Sequence, residues 1–298
     1  MTKTTNTPLP ANERDLLAVF FGKNFEPLSF AQPNSQLFYF VNNPDGTIRW
    51  AFPATCSAPT LLSLYNSSGW RGAVVRIAIR TAFLLKNPKL IAAGCFWAAV
   101  SDEKSGSDFA IFTGTVGVNR KLVVSHGGLF FEKIPCAADA KWLIGHERTS
   151  LDRLAMLGLE KIHFPTAEKT ERGGILLNNV RPTESLPAAE LTELHRAALH
   201  ELALRTGHSV RLEETIFFQK ILKNLRAFDA CPANDFTEKM IPLRALLAEI
   251  LESLNPDEPL VVGLAHGDFT PWNCFLPARF ILQKITVRML SSKPGPSG

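Results

Sequence analysis

Alternating apolar and polar positions predict a β-hairpin near the start of the chain. Residues 37–41 (LFYFV) form a β-rich run, and residues 47–52 alternate as a returning strand. Between them, residues 43–46 (NPDG) are a turn sequence in which Gly46 can take a positive φ. The strand pattern and the turn sequence agree, so we expect two antiparallel strands here.

A helical spacing of apolar residues follows at residues 72–85, broken by Arg76 and Arg80 on one face. A basic amphipathic helix of this kind can lie on a membrane surface. More often such a helix packs on its own protein and exposes a solvated face, and that is what we expect here. Membrane-surface association through residues 72–89 stays open as the alternative.

The middle of the chain predicts three strands, a helix and two more short strands. The strands are expected at residues 109–113, 121–125 and 129–134, the helix at about 138–157, and the short strands at 162–165 and 174–177. The loop after the first strand carries Gly114 and Gly117, which would let backbone N–H groups approach phosphates. Hairpin turns also use glycine for structural reasons alone. Residues 178–182 then leave this region as a connecting segment.

Three helices and a short strand are expected in the last third. The helices cover residues 190–205, 213–228 and 238–254, and an apolar run at 260–264 reads as a strand. The first helix has an apolar face of Leu191, Leu194, Ala198 and Leu202 and ends at Gly207, a C-cap. His195 and His200 differ by five positions and face apart on this helix, so we expect no zinc site.

The run at 260–264 leads into residues 266–273 (HGDFTPWN), where Gly267 and Pro271 prevent a continuous helix. Asp268 and Asn273 stand five positions apart, which is the spacing of the kinase loop His-x-Asp-x-x-x-x-Asn. In that loop the Asp accepts the proton of the substrate hydroxyl and the Asn holds a metal. A bare His-x-Asp would more simply be a turn with a capping Asp, but eight positions together favour the catalytic interpretation.

Residues 266–273 resemble the signature of the aminoglycoside phosphotransferase and choline kinase family, and residues 109–276 resemble that family in the order of their parts. The resemblance implies an α+β, bilobal protein-kinase-like fold with a β-rich small lobe, an incomplete helical large lobe and an N-terminal α/β extension. It divides the chain into an extension of unknown role (1–105), a small lobe (106–181), a partial large lobe with the catalytic loop (182–276) and an atypical basic tail (277–298).

The family's functional positions fall on six residues of this chain. The resemblance assigns cofactor binding to Gly114, Gly117, Lys133 and Glu147, catalysis to Asp268 and metal binding to Asn273. In kinases the strand Lys binds the nucleotide phosphates and the helix Glu holds that Lys. Lys121 or Glu132 could be mistaken for this pair, because both lie close to it in the sequence.

The same resemblance implies ATP and Mg²⁺ as cofactors and a small-molecule hydroxyl as the phosphoryl acceptor, such as an amino alcohol, a sugar or an aminoglycoside. The family carries a second Asp after the Asn as its principal metal ligand, whereas no Asp or Glu follows Asp268 here. Magnesium held by Asn273 alone would bind weakly, because hard divalent cations need anionic oxygen. The composition also shifts near Pro277, so we expect an end that is truncated or read in another frame. The expected function is thus an ATP-dependent phosphotransferase crippled by loss of that Asp. The alternative is a non-catalytic nucleotide-binding or interaction module.

The distribution of charge and the cysteine content indicate which classes of partner and which cellular compartment to expect. The net charge is +4, and the segment 277–298 contributes all of it through Arg279, Lys284, Arg288 and Lys293, so residues 1–276 are neutral. The basic pI is therefore no argument for a nucleic-acid partner. Five scattered cysteines without a Cys-x-x-Cys pair indicate a reducing compartment. With no secretory signal and no apolar run long enough to span a bilayer, we expect a cytoplasmic protein without a membrane partner.

Overall fold

The computed structural model describes residues 9–263, except 29, 66, 68, 101–105, 182–185, 188–189 and 233, together with residues 275–276. The chain divides into two compact units, Met1–Thr192 with Asp268–Gly298, and Glu193–Gly267. Among the described residues the fold is α+β, with one large antiparallel sheet and seven α-helices. The predicted catalytic loop, which carries Asp268 and Asn273, lies outside the described residues.

An eight-stranded sheet organises the first unit, and its neighbouring strands are antiparallel. Its strands are β1 (Ser35–Asn42), β2 (Ile48–Pro53), β3 (Gly94–Ala99), β4 (Phe109–Phe112), β5 (Lys121–His126), β6 (Phe130–Pro135), β7 (Ala167–Lys169) and β8 (Ile175–Asn178), in the spatial order β3-β1-β2-β4-β5-β6-β8-β7. Because Trp50 of β2 pairs with Phe112 of β4, the sheet is continuous across the expected boundary between residues 105 and 106. A separate two-stranded pair joins β9 (Leu186–Pro187) to β12 (Phe275–Leu276).

Four helices cover the two faces of the large sheet. They are α1 (Ala11–Phe21), α2 (Ala58–Ser63), α3 (Gly69–Leu84) and α4 (Ala138–Ala155). Leu17 and Phe20 of α1 share one buried cluster with Phe38 of β1, whereas the next strand residue, Tyr39, belongs to a second cluster with α2 and α3. Successive side chains of a strand point to opposite faces, so α1 lies on one face and α2 and α3 on the other.

The α4 side of the sheet holds a third cluster, in which Ile144 of α4 packs with Phe131 of β6 and Leu177 of β8. Ile134 of β6 instead lies in the α1 cluster. Odd-numbered β6 residues therefore face α4 and even-numbered ones face the α1 side. This alternation later decides which charged residues of β6 can meet.

Most elements of the first unit confirm the pattern-based predictions. The hairpin forms as β1 and β2, with Gly46 at φ +85°, and the helix predicted at 72–85 is α3. The strand predicted at residues 162–165 is wrong, because β7 begins only at Ala167. Pro165 has no N–H to donate to a ladder, and pairing with β8 starts after it. Helix α1 was not predicted from the sequence, because the apolar residues 16–21 were considered only as part of a possible signal sequence.

The second unit is mostly helical. It contains α5 (Glu193–Thr206), α6 (Ile216–Asp229), α7 (Asp235–Ser253) and an antiparallel pair of β10 (His208–Arg211) with β11 (Pro259–Val262). The predicted apolar face of α5 is partly wrong: Leu191 and Leu194 are exposed, and the buried face is His195, Ala198 and Leu202. Burial lowers the pKa of His195. None of the helices in the described part of the chain is both long and apolar enough to cross a membrane.

Candidate functional site

The loop between β4 and β5 needs a glycine at its start. Gly114 has φ +73°, and a Cβ there would collide with the carbonyl oxygen of Lys121. Only glycine tolerates both conditions without strain. Gly117 lies farther along this loop, where nothing lies within 4 Å of an added Cβ, and residues 115–119 are exposed. The loop thus has a tight base and an open tip.

Both ends of this loop are fixed to neighbouring backbone. The buried Thr113 donates its N–H to the Arg49 carbonyl at 3.1 Å and its hydroxyl to the Ile48 carbonyl. At the other end, Arg120 donates Nε to the Thr113 carbonyl at 3.1 Å. These bonds tie the loop to β2, so the predicted extension contributes directly to its shape.

A buried carboxylate from α1 stands beside the loop. Glu13 is fully buried, and Nη2 of Arg120 lies 3.9 Å from its Oε1. Burial raises the pKa of Glu13, and the charge of Arg120 partly opposes that rise. Sequence reasoning missed this residue. Its signal was the helical spacing of Glu13 with Leu16, Leu17 and Phe20, which places it on the buried face of α1.

The structure brings Lys133 and Glu147 together. Lys133 lies on β6 opposite Val123 of β5, on the face that α4 covers, and its Nζ donates to Oε1 of Glu147. Glu147 stands one turn beyond Ile144, the residue that packs α4 onto this face. The predicted contact is therefore present, and both side chains keep part of their surface exposed.

Lys121 lies next to this pair on the same face of the sheet. It pairs across the strands with Pro135, two positions along β6 from Lys133, which makes the two lysines diagonal neighbours. Burial lowers the pKa of Lys121, the charge of Lys133 lowers it further, and Glu147 acts in the opposite direction. We call Lys121, Lys133 and Glu147 the lysine cluster. With two ammonium groups and one carboxylate, it carries an excess of positive charge and suits an anionic ligand.

Glu132 does not take part in the lysine cluster, although it precedes Lys133 in the sequence. Its carboxylate accepts a 2.8 Å hydrogen bond from Arg172 and lies 3.5 Å from His126, on the opposite face of β6. Burial raises its pKa, but the bonds from His126 and Arg172 outweigh burial, and the net result is a lowered pKa. These groups, with Phe130 and Leu176, line an open depression of about 370 Å³. Because side chains alternate along β6, Glu132 points away from Lys133, and the carboxylate that pairs with Lys133 is that of Glu147.

The segment that leaves β8 is anchored on both sides of Val180. Asn179 donates its N–H to the Leu129 carbonyl and its Nδ2 to the Gly128 carbonyl, both at 2.7 Å. Arg181 lies over the Phe131 ring at 4.9 Å, and burial lowers its pKa to about 10. No described residue forms a hydrogen bond to the backbone of Val180.

The structure says nothing of the remaining two predicted site residues, Asp268 and Asn273, which lie outside its described part. Within the described ranges, no group of three or more His, Cys, Asp or Glu side chains is placed to hold a metal ion. No protein-family model matches the chain, and no curated protein and no solved structure matches it either. The features that bear on function are the loop between β4 and β5 (residues 113–120, the glycine loop), the lysine cluster and the motif at residues 266–273.

Proposed function

We propose that the first unit binds the phosphate groups of ATP, and that the chain transfers a phosphoryl group from ATP to a hydroxyl of a small molecule. One observation carries the proposal: the ion pair between Lys133 and Glu147. Counted from β4, the strand that precedes the glycine loop, this Lys stands on the third strand and this Glu on the following helix. That is the arrangement of the Lys–Glu pair that kinases use.

The charges and the backbone around the pair fit a nucleotide. Lys121 and Lys133 together exceed the charge of Glu147 by one, so the cluster attracts phosphate. Glu147 holds the Lys133 side chain in one position, which leaves the ammonium oriented for a bound phosphate. The exposed loop after Gly114 offers backbone N–H groups from the side of the hairpin.

Transfer, as opposed to binding, rests on the sequence motif. ATP would supply the phosphoryl group, Asp268 would accept the proton of the acceptor hydroxyl, and Asn273 would hold Mg²⁺, weakly without a carboxylate beside it. In this proposal the fold is the bilobal kinase-like one, with the second unit belonging to the large lobe. The acceptor is a small molecule that carries a hydroxyl group.

A second candidate function is a nucleotide-binding module without catalysis. It is favoured by one feature of the site: the lysine cluster and the glycine loop are complete within the first unit and use no residue of the loop at 266–273. Such a module would bind ATP with little dependence on magnesium and would not turn it over.

Two measurements separate the candidates. A phosphotransferase predicts that ATP with Mg²⁺ raises the melting temperature more than ATP with EDTA, and that phosphoryl transfer to a panel of small alcohols is lost in Asp268→Asn. The module predicts equal shifts with and without Mg²⁺ and no transfer. Absence of any thermal shift with ATP, in either condition, would contradict both.

A further inference from the structure

Helix α3 is apolar on two opposite faces. Its inward face, with Ile79 and Ala82, is buried in the cluster shared with β1 and β2. Its outward face also carries large apolar side chains, which are exposed to solvent. The prediction that α3 packs on its own protein and exposes a solvated face is confirmed, and much of that exposed face is apolar.

The outward face carries a stripe of exposed apolar side chains, with the exposed Thr81 among them. We define the α3 stripe as Trp70, Val74, Ile77 and Leu84, whose exposed fractions are 73%, 57%, 63% and 83%. These positions follow the i, i+4, i+7 and i+14 spacing of a single helix face. The stripe extends about 21 Å along the helix axis at the usual rise per residue. Leu85 and Leu90, just beyond the helix, are also exposed and extend the apolar surface.

The charge around the stripe has one sign. Arg71 and Arg80 are exposed and, at 100° per residue, fall on opposite edges of the stripe. Lys86 and Lys89 are exposed just after the helix. Residues 46–100 contain six basic residues and no Asp or Glu. The surface thus combines a central apolar band with basic residues at its edges, on a segment that itself contains no acid.

We propose that the α3 stripe docks on the surface of an anionic membrane, with the helix lying in the plane of the interface. Apolar residues including a Trp on one side and Arg or Lys at the edges are the features of interfacial helices. Basic residues beside such a helix are attracted by anionic headgroups. This inference does not rest on the proposed phosphotransferase activity.

Charge complementarity favours a membrane over a second copy of the chain. A twofold interface places the same patch on both partners. The basic edges carried by Arg71 and Arg80 would then face each other with no acid from this segment between them. An anionic lipid surface instead complements every exposed charge that borders the stripe.

The test is co-sedimentation of the full chain with vesicles of phosphatidylcholine alone, or of phosphatidylcholine with phosphatidylserine. The variant is Trp70→Ser combined with Ile77→Ser, and Trp142→Ser is the matched control. Trp142 is 67% exposed on α4, so the control removes a comparable aromatic from outside the stripe. A second variant, Arg71→Gln with Arg80→Gln, tests the charges without touching apolar residues. Circular dichroism checks that each variant is folded.

We expect binding to the phosphatidylserine vesicles that falls roughly tenfold or more in either double variant and weakens with added salt. The Trp142→Ser control should bind as the parent does. Equal binding to phosphatidylcholine alone, no binding to either vesicle, or equal losses in the variant and the control would overturn the proposal. The proposal would also be overturned if the parent did not bind vesicles but dimerised with increasing concentration, and if Trp70→Ser with Ile77→Ser abolished that dimerisation.

Discussion

Two ionic groups stand back to back on strand β6, and they differ in how their charges balance. On the α1 side, Glu132 is enclosed by Arg172 and His126, so its carboxylate is satisfied within the protein. On the α4 side, the lysine cluster sets two ammonium groups against one carboxylate. The adjacent residues Glu132 and Lys133 thus belong to two different groups. The group around Glu132 is balanced in charge and structural (the closed side), and the group around Lys133 has an excess positive charge that a ligand can neutralise (the open side). What distinguishes a candidate binding site is the charge left over, rather than the presence of an ion pair.

The largest expected stability effect is on the closed side. Replacing Arg172 by Ala removes the guanidinium that neutralises the buried Glu132 carboxylate, and we expect the unfolding free energy to fall by about 2 kcal/mol at pH 7. Urea denaturation measures this loss. Lys169→Ala, an exposed neighbour on β7, is the control and should change stability by less than about 0.5 kcal/mol. ATP affinity should stay unchanged in both.

The pH dependence of that pair has a fixed sign. The pKa of Glu132 is lowered in the folded protein, so its stabilising contribution is present above the pKa of the unfolded chain and is lost as pH falls through the lowered folded pKa. Arg172→Ala should therefore flatten the decrease of stability with acid. An unchanged acid limb in this variant would mean that Arg172 does not stabilise the charged form of Glu132.

The glycine loop belongs to the open side and gives an effect of comparable size. Gly114→Ala meets both a positive φ and the Lys121 carbonyl, whereas Gly46→Ala meets a positive φ in open space. We expect Gly46→Ala to cost about 1 kcal/mol and Gly114→Ala to cost about 1 kcal/mol more. Thermal or urea unfolding gives both values. Only Gly114→Ala should also weaken ATP binding, and equal costs would show that the close approach to Lys121 is relieved without strain.

The smallest effect is the sharpest test of the charge imbalance. Lys121→Met removes repulsion with Lys133, so we expect it to raise unfolding free energy at pH 7 by roughly 0.5 kcal/mol while weakening ATP binding several-fold. The pKa of Lys121 is lowered on folding, so the unfolded chain binds more protons in the alkaline range and parent stability rises there with pH. The extra stability of Lys121→Met over the parent should therefore shrink as pH rises through the lowered pKa of Lys121. A variant less stable than the parent at pH 7 would contradict the imbalance.

Local patterns predicted the parts that depend on neighbours in sequence. The β1–β2 hairpin followed from alternation and the turn at Gly46, whereas the contact of Lys133 with Glu147 was implied by the resemblance to the kinase-like family. The ion pairs between residues far apart in the chain could not be predicted from the sequence. The ion pair of Glu132 depends on Arg172, which is forty positions away in the sequence. The ion pair of Glu13 depends on Arg120, which approaches α1 only in the folded protein. The outward face of α3 was missed because its apolar character becomes visible only when burial assigns the other face.

The most direct test of the central claim is the dissociation constant of ATP, measured by calorimetry for the parent, Lys133→Ala and Lys141→Ala. Lys141 is an exposed lysine on α4, so its replacement removes the same charge away from the cluster. We predict that Lys133→Ala weakens binding about 10- to 100-fold, as expected for losing a charge-assisted bond to phosphate, and that Lys141→Ala stays within about twofold. A folded Lys133→Ala protein that binds ATP as tightly as the parent would contradict the account, as would a parent that binds no ATP.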